Sequence, residues 1–318
     1  MKIPQVPVRF GFLPEPIAAS FSGVHIEPLP DYEQRLDWYH KNSNTDGYIY
    51  PPLVATYKGN FERKKWRKIP QTTRPAAVYH LPASHMLSIN IPIEPAFPHS
   101  DFALLIHTLA FIFGTRLQFE EWKFDGRVPV NSKLAASIST PVRLHFVEHV
   151  YEWWKKLPSE LKIRVVSLFY AYNCSIATEW EWDAFYQHYM VFDGLFRLHA
   201  DLTSLTTKTS HKGRFAILCS AYGIPINELL VDKLYKTRNK LFHEAMWVDA
   251  MIGHSSDGQG AYHYPQHLAR LNARLLCAIT GYRNSFTASA WWTMSHFLFQ
   301  EPRNGDSLSF LEKHRTTN

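Results

Sequence analysis

Fourteen of the twenty prolines fall before residue 100. Proline lacks a backbone N–H and its ring collides with the preceding helical turn, so prolines this dense rule long helices out of that stretch. They also divide the chain. Up to about residue 97 the sequence permits strands and turns; beyond it, helices. Short β-branched and aromatic runs in the first part read as strands: Val6–Phe12, Val24–Ile26, Leu53–Tyr57 and Met86–Ile91. Asp31–Asn42 is the one short helix expected there.

The middle of the chain mixes both periods. Ser100 or Asp101 can cap an apolar helix from Phe102 to its stop at Gly114. Arg116–Phe124 then alternates with period two, as a half-buried strand does, and Asp125-Gly126 supplies a turn. After Thr140-Pro141 the pattern is helical throughout. Helices are expected over Val142–Leu157, from Pro158 with Leu161, Val165, Leu168 and Phe169 inward, over Glu181–Thr206, over His211–Tyr222, from Asn227 to about Trp247, from Pro265 and over Asn284–Gln300. The fold class is therefore α+β. A β-rich N-terminal domain with one apolar helix (1–140) precedes an all-α helical bundle (141–302) and a polar tail (303–318).

The helix that ends near Trp247 carries the most chemistry. Leu230, Leu234, Leu241 and Ala245 recur at helical spacing and predict its buried stripe. Beside them stand Arg238, Asn239 and His243. Asn239 and His243 are four apart and share a face. Arg238 lies about 100° around from Asn239. Arginine is a bidentate phosphate ligand that stays cationic at any working pH, and histidine exchanges a proton near neutrality. Asn239 can hydrogen-bond His243 and fix its ring. The three residues together suit phosphodiester cleavage without a metal.

Arg-Asn, three residues and His, on a late helix of an all-helical domain, resembles the signature of the HEPN superfamily. The resemblance covers roughly residues 142–300. A β-rich N-terminal domain ahead of it is similar to the ApeA-like HEPN group, which is linked to bacterial antiphage defence. The resemblance implies a metal-independent endoribonuclease with no cofactor. RNA would be its partner and substrate, and a homodimer would form through the helical domain. It implies that Arg238 binds the scissile phosphate, that His243 is general acid or base as the 2′-hydroxyl attacks, and that Asn239 positions His243. Family members often place an acidic residue on an early helix; Asp193, within an apolar helix surface, is the expected counterpart, holding Arg238 or orienting His243. Two related outcomes stay open: toxin-like growth arrest, and a catalytically silent HEPN-fold module that only binds nucleic acid or scaffolds.

Two further stretches carry functional readings. Arg63, Lys64, Lys65, Trp66, Arg67 and Lys68 mix basic groups, which track phosphates, with an indole that stacks on bases, so this expected loop is a nucleic-acid-binding candidate. His145-Phe146-Val147-Glu148-His149 has the order of an inverted zinc-peptidase motif, in which two histidines four apart share a metal. No downstream carboxylate stands out as the third ligand. An ordinary helix with Val147, Val150, Trp153 and Trp154 available to pack explains the segment without a metal.

Composition narrows the class further. A net charge of +6 and a pI near 9.1 mildly favour an acidic partner. The cysteines Cys174, Cys219 and Cys277 are widely spaced, odd in number and without CxxC spacing, as in a reducing cytosol. Met1–Pro7 lacks the apolar core of a secretory signal, and the most apolar run, Phe102–Gly114, is too short to span a bilayer. No membrane partner is expected, and the expected location is the cytoplasm.

Overall fold

The computed structural model describes residues 7–302 apart from 46, 52–56, 61–64, 69–77, 91–99, 121, 131–133, 135, 207, 247–263, 294 and 296; at 57–60, 65–68 and 78 the backbone alone is described. The chain divides into two units, Met1–Asn90 with Thr115–Asn131, and Ile91–Gly114 with Ser132–Asn318. The architecture is α+β, with the strands concentrated in the first unit and the helices in the second.

In the N-terminal unit, β1 (Val8–Gly11), β2 (Ala19–Phe21) and β3 (Val24–Pro28) precede α1 (Tyr32–Asn42). There follow β4 (Tyr48–Ile49), β5 (Tyr57–Asn60), β6 (Lys65–Lys68), β7 (Val78–Tyr79), β8 (His85–Ile89), β9 (Gln118–Phe119), β10 (Phe124–Asp125) and β11 (Val128–Pro129). One antiparallel sheet runs in the order β2-β3-β8-β1-β9, while β4 pairs with β11, β5 with β6 and β7 with β10. Register follows the pleat: Ile26 faces Leu87 and Phe10 faces both His85 and Phe119. Val24, Ile26, Leu87 and Ile89 are buried while His25 and Glu27 between them are exposed, which is the period-two pattern of a sheet with one covered face. On α1, Tyr39 stacks on Phe12 with ring centroids 4.2 Å apart and joins Ile49, Tyr79, Leu81, Phe124 and Val128 in a second cluster.

The segment Arg116–Phe124 departs from the expected single strand. It splits into β9 and β10, because the Trp122 N–H turns back to the Phe119 carbonyl. Arg116 is buried and donates to the Asp125 carbonyl and carboxylate, which fixes the second piece separately. The expected basic loop lies in part on a strand paired antiparallel with β5. Residues 61–64, with Arg63 and Lys64, lie outside the described residues; Lys65, Trp66, Arg67 and Lys68 form β6, with Trp66 opposite Gly59.

The helical unit contains α2 (Asp101–Phe113), β12 (Ala136–Ser137), α3 (Thr140–Lys155), α4 (Ser159–Ser175), α5 (Glu181–Thr203), α6 (His211–Tyr222), α7 (Glu228–Glu244), α8 (Tyr264–Ile279) and β13 (Phe297–Leu298), with β12 and β13 parallel. Ser100 caps α2 by accepting from the Ala103 N–H, and Gly114 ends it in the left-handed region at φ 65°. Every residue of α2 from Ala103 to Phe113 is buried, and the helix packs on α3 and α4. An expected boundary at residue 140 assigned α2 to the N-terminal domain. A helix apolar on all sides needs helices around it, and this one finds them in the second unit. Centrally α5 packs on α8 and α4. The predicted inward residues of α8, Leu268, Leu271, Leu275 and Ile279, are buried.

The expected helix over 284–300 does not form. The side chains of Asn284, Thr287 and Ser289 bond to backbone within three residues, Asn284 Oδ1 accepting from the Thr287 N–H at 3.1 Å and the Ser289 hydroxyl donating to the Phe286 carbonyl at 2.6 Å. Such local bonds compete with the helical ladder. The segment is a series of turns that ends in β13, and the expected tail from residue 303 lies outside the described residues. Among the described residues no helix is long and apolar enough to cross a membrane.

Candidate active site on α7

The start of α7 is anchored on its neighbours by a cap, a tryptophan and an ion pair. Asn227 caps it by accepting from the Leu230 N–H at 3.1 Å, and Trp291 Nε1 donates to the Pro225 carbonyl just before it at 3.0 Å. Lys212 of α6 reaches Asp232 at 3.0 Å. The buried positions are Val231, Leu234 and Thr237, a stripe set one residue away from the expected Leu230 and closed before Leu241, which is half-buried. Ala245, expected inward, is the exposed left-handed cap at φ 53°. The last turn and a half of α7 therefore runs out at the surface of the unit, and the motif residues sit there.

Arg238 is half-buried, Asn239 half-buried and His243 exposed. One guanidinium nitrogen, Nη1 of Arg238, donates both to Asn239 Oδ1 at 3.1 Å and to His243 Nε2 at 3.0 Å. A guanidinium has donors only, so Nε2 of His243 accepts and the ring proton sits on Nδ1. The expected direct bond from Asn239 to His243 is replaced by a relay: Asn239 holds Arg238, and Arg238 holds His243. The Arg238 guanidinium lies 4.6 Å from the Phe242 ring centroid and 5.9 Å from that of Tyr189. Its Nε is buried without a hydrogen-bond partner, and among the described residues no carboxylate pairs with it. Tyr186, exposed on α5, stacks on Phe242 at 4.6 Å.

Asp193 lies on the facing stretch of α5 but does not hold Arg238 or His243 as expected. Its Oδ1 accepts from Arg214 Nη1 at 2.6 Å and lies 3.4 Å from Nδ1 of His211. Arg214 is closer in reach because it leaves α6 one turn from its start, opposite Asp193. That start is tightly built. Ser210 caps it by accepting from the Gly213 N–H at 3.1 Å, and a Cβ on Gly213 would fall 2.6 Å from Thr209 Cγ2. Glycine there leaves room for the Thr209 side chain beside the capping turn.

Tyr189 links the two groups. Its side chain is fully buried, its hydroxyl has no hydrogen-bond partner, and its ring lies 6.1 Å from that of His211. Burial, with Asp193 adding to it, pushes the phenol far above its usual value against the pull of Arg238 and Arg214, so the hydroxyl stays protonated. His211 is held below its ordinary value, first by burial and then by Arg214 and Arg238, with Asp193 opposing. His211, Arg214 and Tyr189 carry no sequence motif. The sequence signal that pointed to this neighbourhood was Asp193, a carboxylate within the apolar surface of α5.

The other motif is differently placed. On α3, His145 Nδ1 bonds the Tyr282 hydroxyl at 3.0 Å, and His149 Nε2 donates to the Thr280 carbonyl at 2.8 Å. Among the described residues no group of three His, Cys, Asp or Glu side chains converges to hold a metal, so no third ligand joins His145, Glu148 and His149. Comparison of the chain with family models, with curated proteins and with solved structures finds no match.

Proposed function

We propose that the chain is a HEPN-type endoribonuclease whose helical unit cleaves RNA by 2′-hydroxyl attack, without a metal ion, as a homodimer. The observation that carries this reading is the Arg238–His243 contact of 3.0 Å at the surface end of α7, with a guanidinium that no carboxylate neutralises among the described residues. A free guanidinium beside an imidazole lone pair is the pairing that a phosphodiester needs: one group for its charge, one for its proton. Arg238 would bind the nonbridging oxygens and stabilise the charge that grows on them. His243 would exchange its Arg238 contact for the reacting hydroxyl once the phosphate takes the guanidinium. Asn239 would keep Arg238 aimed. Lys233 and Lys240 on the same helix carry further positive charge for a polyanion, while Lys236 is paired with Asp232 at 2.8 Å. Antiphage defence or toxin-like growth arrest is the setting this activity suits.

A second reading has its own support. Tyr186, Met190 and Met246 are exposed around the motif, and apolar groups of this size favour burial against another copy. The same helix end would then build a silent dimer or scaffold. The deciding experiment is cleavage of an RNA oligonucleotide and its all-2′-deoxy counterpart in EDTA. The ribonuclease reading expects RNA alone to be cut, with 2′,3′-cyclic phosphate ends. A stable dimer that cuts neither supports the scaffold.

A further inference from the structure

Resting on the ribonuclease reading, we propose that His211 is the second proton-transfer group of this site, positioned by Asp193. The reaction moves two protons. As O2′ bonds to phosphorus, its proton must leave; as the P–O5′ bond breaks, O5′ must gain one. A single imidazole touching Arg238 serves one of these steps. Among the described residues, His211 is the other histidine gathered around Tyr189 and the two arginines.

The surroundings of the two rings divide the roles. His243 Nε2 accepts from Arg238, so this nitrogen presents the lone pair that the hydroxyl proton requires. His211 has the opposite endowment: a carboxylate oxygen of Asp193 stands 3.4 Å from Nδ1, ready to compensate an imidazolium. Arg214 fixes that carboxylate at 2.6 Å, as the fully buried Tyr189 hydroxyl lies within the field of Asp193, Arg214, Arg238 and Tyr235. The groups facing His211 are thus Tyr189 and Asp193 from α5, Arg214 from its own helix and Arg238 from α7. A phosphodiester that docks on Arg238 cancels one of the two cations acting against protonation of His211. Substrate binding thereby favours the protonated ring that the leaving group needs. In the full step His243 Nε2 takes the 2′-proton as O2′–P forms. His211 gives its proton to O5′ as P–O5′ breaks, and the products are a 2′,3′-cyclic phosphate and a 5′-hydroxyl.

The test uses two RNA oligonucleotides, one ordinary and one with sulfur in place of O5′ at a single linkage, cut by full-length protein. A thiolate leaves without a proton donor. His211→Ala and His211→Gln are expected to slow the ordinary RNA by about 100-fold or more. Both should cut the sulfur linkage at close to the wild-type rate. His243→Ala should be slow on both. Asp193→Asn should lower kcat more than it changes KM and move the alkaline limb of the pH profile to lower pH, since the carboxylate that favours imidazolium is gone. Equal slowing of both substrates by the His211 variants, or an unmoved alkaline limb in Asp193→Asn, overturns the assignment while wild-type cutting preserves the ribonuclease reading. Wild type that cuts neither substrate overturns both.

Discussion

Two helices of the same unit each carry polar residues one turn apart, His145 and His149 on α3 and Asn239 and His243 on α7, and the fold treats them in opposite ways. On α3 the imidazoles tie the helix to the segment after α8, through the Tyr282 hydroxyl and the Thr280 carbonyl. On α7 Asn239 Oδ1 and His243 Nε2 both accept from Arg238 Nη1, and Arg238 Nε is left without a hydrogen-bond partner. A buried polar group left unsatisfied costs about 1–3 kcal/mol. The α3 histidines find partners inside the fold, whereas Arg238 Nε, like Arg214 Nε, has none. The difference is one of partners, and the residue types are nearly the same.

The arginines sharpen the contrast most. Arg274 on α8 is fully buried, and its guanidinium donates to Ser289 Oγ and to the carbonyls of Arg270, Ser289 and Ala290. Burial, with Arg270 beside it, pulls it down to about 10, so it remains cationic at neutral pH. Arg274→Ala removes a large buried side chain and strands those acceptors, an expected loss of about 3 kcal/mol or more. Arg238→Ala is expected to leave the melting temperature nearly unchanged and to reduce RNA cleavage by about 100- to 1,000-fold, the scale of losing one transition-state donor. Thermal melts and initial rates on both variants check this. An Arg238→Ala protein as unstable as Arg274→Ala would place Arg238 with the structural group.

A fourth histidine separates burial from bonding. His188 on α5, one residue before Tyr189, is buried with no partner for Nδ1, and burial pulls it down to about 3. In the unfolded chain it binds a proton near pH 6.5. Its folded value is the lower one, so stability is present above about pH 6.5 and is lost as pH falls toward 3. The slope is about 1.4 kcal/mol per pH unit, or roughly 2 kcal/mol between pH 6.5 and 5. Urea midpoints at the two pH values are expected to show that drop in wild type and much less of it in His188→Leu. An unchanged drop in the leucine variant would mean that His188 is solvated or paired in solution.

Much of this was legible from residue patterns, and the failures share a cause. Proline density located the β-rich part, and apolar spacing located α3 to α8, since both are local properties. Where capping chemistry overrides apolar content, as at Asn284, Thr287 and Ser289, hydrophobic reading predicted a helix that the side chains prevent. The motif helix was recognisable from Arg238, Asn239 and His243, but its partners were not. Asp193 was singled out for its costly position in an apolar surface, yet what satisfies it is Arg214, twenty-one residues away. No period or spacing in one chain announces a pair of that kind. It arises from the meeting of two helix faces, and His211 enters the site by the same route.

The smallest expected effect tests the comparison at its starting point. His149 on α3 is half-buried, and burial holds it below its ordinary value although the Thr280 carbonyl favours the charged ring. His149→Ala removes one hydrogen bond and is expected to cost about 1 kcal/mol of stability while leaving RNA cleavage in EDTA unaltered. Loss of cleavage in a folded His149→Ala protein would break the distinction between the two helices. The site would then have to reach α3, and the bond to Thr280 would no longer explain why that histidine is there.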